Sequence, residues 1–121
     1  MALGFWHNLG QARSRILVMQ QSYHGDTIGA MSVGARGVFN AAYAPLLFDV
    51  GTIPFPHAGA EQATLAALAA ACRPDPATGH PPAAFIVEPL ILGAGGMLTY
   101  GTETLAAMRV LCAEALSLIH I

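Results

Sequence analysis

Two short apolar runs are set among longer stretches in which apolar side chains recur every three or four positions. Residues 15–20 (Arg-Ile-Leu-Val-Met-Gln) and Ala83 to Val87 read as strands buried on both faces, as in a parallel sheet. Residues 2–12 read as the tail of a helix already in progress, with no N-cap before it and with Leu3, Trp6 and Leu9 or Gly10 roughly on one face. Ala60 to Arg73 is expected to be helical, with Leu65, Leu68 and Cys72 on one stripe. Thr102 to Ala115 is the last expected helix, with Leu105, Met108 and Cys112 inward. Between these elements, Tyr23-His24-Gly25-Asp26 forms a turn that opens a short helix, with Asp26 or Thr27 as its N-cap. Residues 34–57 read as irregular, punctuated by Pro45, Pro54 and Pro56. Residues 73–82 form a stiff exposed connection, and Gly93 to Gly96 a glycine-rich loop after Glu88-Pro89. Helices alternating with buried strands predict an α/β protein, with mostly parallel strands and flanking helices.

At 121 residues the chain holds at most one domain. Its 55% hydrophobic and 10% charged content departs from the ~45–50% and ~25% of ordinary globular chains. That balance suits a piece of a larger protein, or one heavily covered by a partner. A net charge of −2 without a basic cluster argues against a nucleic-acid partner. Cys72 and Cys112 fall on helical stripes without metal-like spacing, so buried reduced thiols are expected, with no metal site and no disulfide. The first residues lack the positive n-region and short apolar run of a signal peptide, so none is expected. The long weakly charged stretch from Ala83 to Gly101 contains Glu88 and Pro89, which argues against a membrane span. The expected compartment is the cytosol.

The candidate chemistry sits at the turn after the first strand. Open α/β sheets place ligands at such strand ends. There an aromatic ring could lie against a planar cofactor, and the Asp26 carboxylate could hold an amine. An ordinary strand-to-helix connection, with Gly25 for backbone reach and Asp26 as a cap, fits the spacing as well and is commoner. Glu88 ends a buried strand, where a carboxylate needs hydrogen-bond partners; a salt bridge or a backbone cap would satisfy it. Gly93 to Gly96 could cradle an anion, but it lacks the P-loop lysine and the dinucleotide spacing.

Two segments carry a family resemblance. Tyr23-His24-Gly25-Asp26-Thr27-Ile28-Gly29-Ala30-Met31-Ser32-Val33-Gly34 and Ile86-Val87-Glu88-Pro89-Leu90-Ile91-Leu92-Gly93-Ala94-Gly95-Gly96-Met97 resemble the class III (omega-type) aminotransferases, which use pyridoxal phosphate. Ala35-Arg36-Gly37-Val38-Phe39-Asn40 is similar to one branch of that family. The branch moves the amino group of S-adenosylmethionine to 8-amino-7-oxononanoate in biotin synthesis. The resemblance implies a fragment of the large domain of fold-type I transferases over residues 1–115. It implies that Tyr23 packs on the pyridoxal ring and borders the substrate, that His24 and Gly25 shape the cofactor-facing turn, and that Asp26 lies in the substrate pocket. It places Glu88 beside the cofactor as a supporting residue. His7, His57, His80 and His120 match no role. The partners implied are small molecules (an amino donor and an oxo-acid acceptor) and a second copy in a full-length homodimer.

The chain departs from the family in several places. It contains no lysine, its basic residues being Arg13, Arg15, Arg36, Arg73 and Arg109. Family members need a lysine amine for the Schiff base with their cofactor. The phosphate-binding Gly-Ser pair should precede the first helix, and the aspartate that pairs with the pyridinium nitrogen should follow Ala115. Residues 116–121 instead read Leu-Ser-Leu-Ile-His-Ile, similar to translated sequencing-adapter sequence, and are expected to be a non-native tail. Met1 is expected to be an internal methionine, and the chain inactive alone. Two other readings stay open: a class III enzyme with an omega-amino acid or diamine donor, and a non-catalytic α/β binding module.

Overall fold

A computed structural model of the chain describes residues 1–115 and 118–120. Its elements are α1 (Ala2–Asn8), β1 (Ile16–Met19), α2 (Ile28–Ser32), a 3₁₀ helix (Ala41–Leu46), β2 (Gly51–Ile53), α3 (Glu61–Ala71), β3 (Ala84–Ile86), β4 (Ile91–Leu92), β5 (Leu98–Thr99), α4 (Thr102–Glu114) and β6 (Leu118–His120). Four strands form one sheet in the order β2-β1-β3-β6. All of its pairings are parallel, with Leu17 beside Gly51 and Phe85 and with Phe85 beside Ile119. β4 and β5 form a separate antiparallel hairpin.

The two predicted strands appear where the apolar runs lie, because burial on both faces removes the need for alternation. Leu17, Met19 and Phe85 are buried and pack with Leu68, Cys72, Met108 and Cys112 between the sheet and α3 and α4. Full burial of a side chain such as Phe85 contributes about 1.5–3 kcal/mol. The helical stripes hold too, with Leu65 and Leu105 half-buried beside them and Thr64 and Thr104 buried in addition. Both cysteines are free and buried.

Two expectations are corrected. The first helix ends at Asn8, because Gly10 adopts φ +71° and the Gln11 N–H turns back to Trp6 O at 2.9 Å. Of its predicted face only Trp6 is buried, while Leu3 and Leu9 are exposed. The Trp6 indole N–H donates to Ala83 O at 2.7 Å, and the Arg13 guanidinium stacks 3.8 Å from its ring. Second, the irregular stretch 34–57 contains the 3₁₀ helix and β2. Three residues followed by Pro54 carry no periodic signal, and the ladder with β1 is what makes them a strand. Gly93 to Gly96 is a loop as expected, and it forms the tip of the β4–β5 hairpin.

Of the expected tail 116–121, residues 118–120 run parallel to β3, and 116, 117 and 121 lie outside the described residues. No helix among the described residues is long and apolar enough to cross a membrane.

The strand order has one consequence for ligand binding. β1 connects to β2 on one side, whereas β3 lies on β1's other side. The carboxyl ends of β1 and β3 therefore flank a point where the winding reverses, which is where open α/β sheets bind ligands.

Candidate cofactor and substrate site

β1 stops at Met19, and Gln21 takes φ +63° to turn the chain across the sheet end. A non-glycine residue in this region is strained and clusters at functional sites. Gly25 has φ +120°, a conformation that side chains other than hydrogen rarely accept. Thr27, not Asp26, caps α2, its hydroxyl accepting the Ala30 N–H at 3.3 Å. That leaves the Asp26 carboxylate free of capping duty, and its Oδ2 accepts the Tyr23 hydroxyl at 3.0 Å. The bond to Asp26, with desolvation and the aspartate's charge behind it, holds the Tyr23 hydroxyl above the ordinary tyrosine range. Tyr23 is 48% exposed.

Glu88, just beyond β3, ties this turn to the hairpin. The Tyr23 backbone N–H donates to Glu88 Oε1 at 2.9 Å, and the Gly93 N–H donates to Oε2 at 3.2 Å. The Tyr100 hydroxyl donates to the Glu88 carbonyl at 2.7 Å, and burial foremost pushes that hydroxyl's pKa up. The Glu88 carboxylate is thus satisfied by backbone N–H groups. The N–H groups of Gly93, Gly96 and Met97 are all spent inside the hairpin and on Glu88, which removes them from any anion cradle.

The third wall is the segment after α2. Arg36 donates Nη1–H to Met31 O at 2.6 Å and Nη2–H to Phe48 O at 2.8 Å. The Asn40 side chain accepts the Gly37 N–H at 2.9 Å and donates to Ala35 O at 2.9 Å. The Phe48 N–H reaches Ser32 Oγ at 3.2 Å. These bonds fold residues 35–48 over the turn.

A cavity of about 550 Å³ results, walled by the Tyr23 turn, α2, the Arg36 segment and the hairpin tip. Tyr23, His24, Gly25 and Asp26, all singled out from the sequence, line it together, and Glu88 does not line it but tethers the Tyr23 turn and Gly93. Ser22, Arg36 and Asn40, to which the sequence gave no site role, line it as well, as does Gly95 of the glycine-rich loop. The Ser22 hydroxyl is buried with no hydrogen-bond partner, a group that a ligand could satisfy. Arg36 carried one signal in the sequence, as the single charge in the stretch 35–40. His57 lies elsewhere, edge-on to Phe55. Among the described residues, no cluster of His, Cys, Asp and Glu could hold a metal ion.

A cavity at the switch point of a parallel sheet, with a tyrosine face and a carboxylate on one turn, fits an enzyme that handles a planar cofactor and an amine. The class III aminotransferase family profile matches residues 1–120, and the chain belongs to that family. It is 54% identical over 101 residues to adenosylmethionine-8-amino-7-oxononanoate aminotransferase of Synechococcus elongatus, covering 80% of this chain and 24% of that protein. The crystal structure of the Methanocaldococcus jannaschii protein of the same name superposes with a TM-score of 0.82 at 27% identity, over 98% of this chain and 26% of that one. An amine transaminase from an uncultivated Pseudomonas species, in its PLP-bound form, gives a TM-score of 0.84 at 25% identity, over 98% of this chain and 29% of that one. The chain thus spans about a quarter of the length of these relatives, and its architecture is that of part of the large domain of fold-type I transaminases.

Proposed function

We propose that this chain forms one side of the active site of a pyridoxal-phosphate aminotransferase that moves the amino group of S-adenosylmethionine to 8-amino-7-oxononanoate. The observation that carries this reading is the convergence of Tyr23, Asp26 and the Glu88-tethered hairpin on one cavity at the sheet's switch point. The residues present fit the cofactor: a half-exposed tyrosine ring offers a flat face, and the unpartnered Ser22 hydroxyl offers a polar contact beside it. When bound, pyridoxal phosphate supplies a ring that takes up electrons from the carbon bearing the amine.

The chain's own residues bind and orient. The Tyr23 ring packs on the cofactor, held in angle by its hydroxyl bond to Asp26 and by its backbone bond to Glu88. The second Asp26 oxygen can accept an N–H of the substrate amine. His24 and Gly25 shape the turn, and the hairpin tip shields one edge from water. A lysine amine for the cofactor comes from outside this segment, since the chain contains none. In this reading residues 1–115 are the transferase part, and 116–121 are a non-native tail. The whole enzyme is a cytosolic homodimer acting on small molecules.

A hybrid tests the reading: residues 1–115 replace the matching quarter of the Synechococcus elongatus enzyme. We expect it to transaminate 8-amino-7-oxononanoate with S-adenosylmethionine, and Tyr23→Ala and Asp26→Ala to weaken that activity. A hybrid that folds, binds pyridoxal phosphate and transaminates neither this pair nor any other would refute the proposal. A lysine aminotransferase of M. tuberculosis also superposes, with a TM-score of 0.78 at 26% identity. Activity with a diamine or omega-amino donor alone would therefore move the assignment to another class III specificity.

A further inference from the structure

Cys72 and Cys112 take no part in the cavity, yet the fold brings their sulfurs together. Cys72 closes α3 as its C-cap, and Cys112 lies on the inward stripe of α4. Both sit in the core shared by these helices and the sheet, where Cys112 is fully buried and Cys72 keeps 7% of its surface. The Cys112 thiol donates a hydrogen bond to the Cys72 sulfur. A cation is fixed beside the pair. Arg15 Nη2 donates to Ala71 O at 2.7 Å and to Arg73 O at 3.0 Å, the carbonyls on either side of Cys72. The Arg15 Nε–H is buried with no hydrogen-bond partner, so part of the guanidinium is left unanswered there. The hydrogen bond from Cys112, opposed by burial and aided by the Arg15 charge, holds the Cys72 thiol below its ordinary value. The same bond, with burial and the charge on Cys72, pushes the Cys112 thiol up. One sulfur is thus suited to attack, and its neighbour stays protonated.

We infer that Cys72 and Cys112 are an oxidation site, at which hydrogen peroxide converts the two thiols to a disulfide that ties α3 to α4. The Cys72 thiolate, with Arg15 beside it, attacks one peroxide oxygen. The O–O bond breaks, hydroxide leaves and takes up a solvent proton, and Cys72 becomes a sulfenic acid. The Cys112 sulfur then attacks the Cys72 sulfur; the S–S bond forms, the S–O bond breaks, and the hydroxyl leaves as water with the Cys112 proton. Across both steps the thiols lose two electrons and the peroxide is reduced to water. Burial of Cys112 leaves it one partner to react with, the sulfur it already bonds.

The hybrid enzyme provides the test. It is treated with hydrogen peroxide, quenched with catalase, alkylated in denaturant and digested with trypsin. Cleavage after Arg109 puts the two cysteines in separate peptides, so mass spectrometry reads a cross-link directly. We expect the Cys72–Cys112 peptide pair in the native hybrid. Cys112→Ser should stop at a Cys72 sulfenic acid that dimedone traps, and Cys72→Ser should leave Cys112 alkylated and unoxidised. Arg15→Gln should slow the cross-link by about 3- to 10-fold, the loss of thiolate when one nearby charge is removed, and Arg15→Lys should restore most of the rate. Recovery of both cysteines as alkylated thiols, from a hybrid whose surface methionines are oxidised, would overturn the inference. Oxidation of Cys112 in Cys72→Ser, or an unchanged rate in Arg15→Gln, would refute the order of attack.

Discussion

Replacing Gly95 by alanine probes how the hairpin tip is seated on the Tyr23 turn. A Cβ at this position would stand 2.5 Å from Gln21 O, 3.2 Å from Gln21 Cβ and 3.3 Å from Leu92 Cβ. The nearest atom is backbone and cannot rotate away, and Gln21 already sits at φ +63° with little room to adjust. Ordinary contact begins at 3.4 Å, so the tip must retreat by about 0.9 Å. Such overpacking costs about 1–3 kcal/mol, which raises local opening by roughly 5- to 150-fold. The retreat would also stretch the Gly93 N–H bond to Glu88, already 3.2 Å long. Gly93 supplies the control from the same turn: its added Cβ meets nothing within 4 Å, and its φ is not positive. Gly93→Ala should be neutral or stabilising by a few tenths of a kcal/mol. Hydrogen exchange followed by mass spectrometry on the hybrid reads both, in peptides covering residues 21–26 and 92–97. Faster exchange in both peptides for Gly95→Ala, with Gly93→Ala matching the parent, is expected. Indistinguishable exchange in the two variants would refute the close seating.

Glu88→Ala should release the Tyr23 and Gly93 amides together, at a loss of about 2–4 kcal/mol for two charge-assisted bonds in a partly exposed place. Glu88→Gln, with one acceptor oxygen and one donor amide, should release only one of them; hydrogen exchange that spares both in the alanine variant would contradict the tether. Asp26→Ala should bring the Tyr23 hydroxyl down toward its ordinary value near pH 10, because the aspartate's hydrogen bond and charge both oppose the phenolate. Ultraviolet titration of tyrosinate then shows one tyrosine ionising earlier, and an unmoved curve would mean the Tyr23–Asp26 contact is absent. The purified 121-residue chain should show no transamination and should bind a hydrophobic dye, since Val38, Phe39, Leu46 and Met97 are 65–95% exposed. A sharp cooperative melt without dye binding would count against that expectation.

The elements legible in the chain are those whose burial is local. β1 and β3 are apolar along their whole length, and α3 and α4 repeat apolar residues at helical spacing, so each announces its own buried face. The family was legible in the same way, from two contiguous segments, and four neighbours from the first of them, Tyr23, His24, Gly25 and Asp26, line one cavity. α1 shows the limit of that reading: its spacing put Leu3 and Leu9 beside Trp6, yet a seven-residue helix docks through one ring and leaves the other two in solvent.

Long-range geometry was decided elsewhere. β2 exists because β1 offers a ladder edge to three residues with no pattern of their own. Glu88 could have met a cation or a backbone group, and only the fold brings it to the amide of Tyr23, 65 residues away. Arg36 donates to Met31 O within its own turn of chain and to Phe48 O twelve residues on, and the second of these bonds depends on how residues 37–48 fold back. Periodicity and composition determine which faces are buried, since that free energy is summed residue by residue. The pairing of one polar group with another across the sheet end depends on a single packed arrangement of the whole chain, and so belongs to the tertiary structure alone.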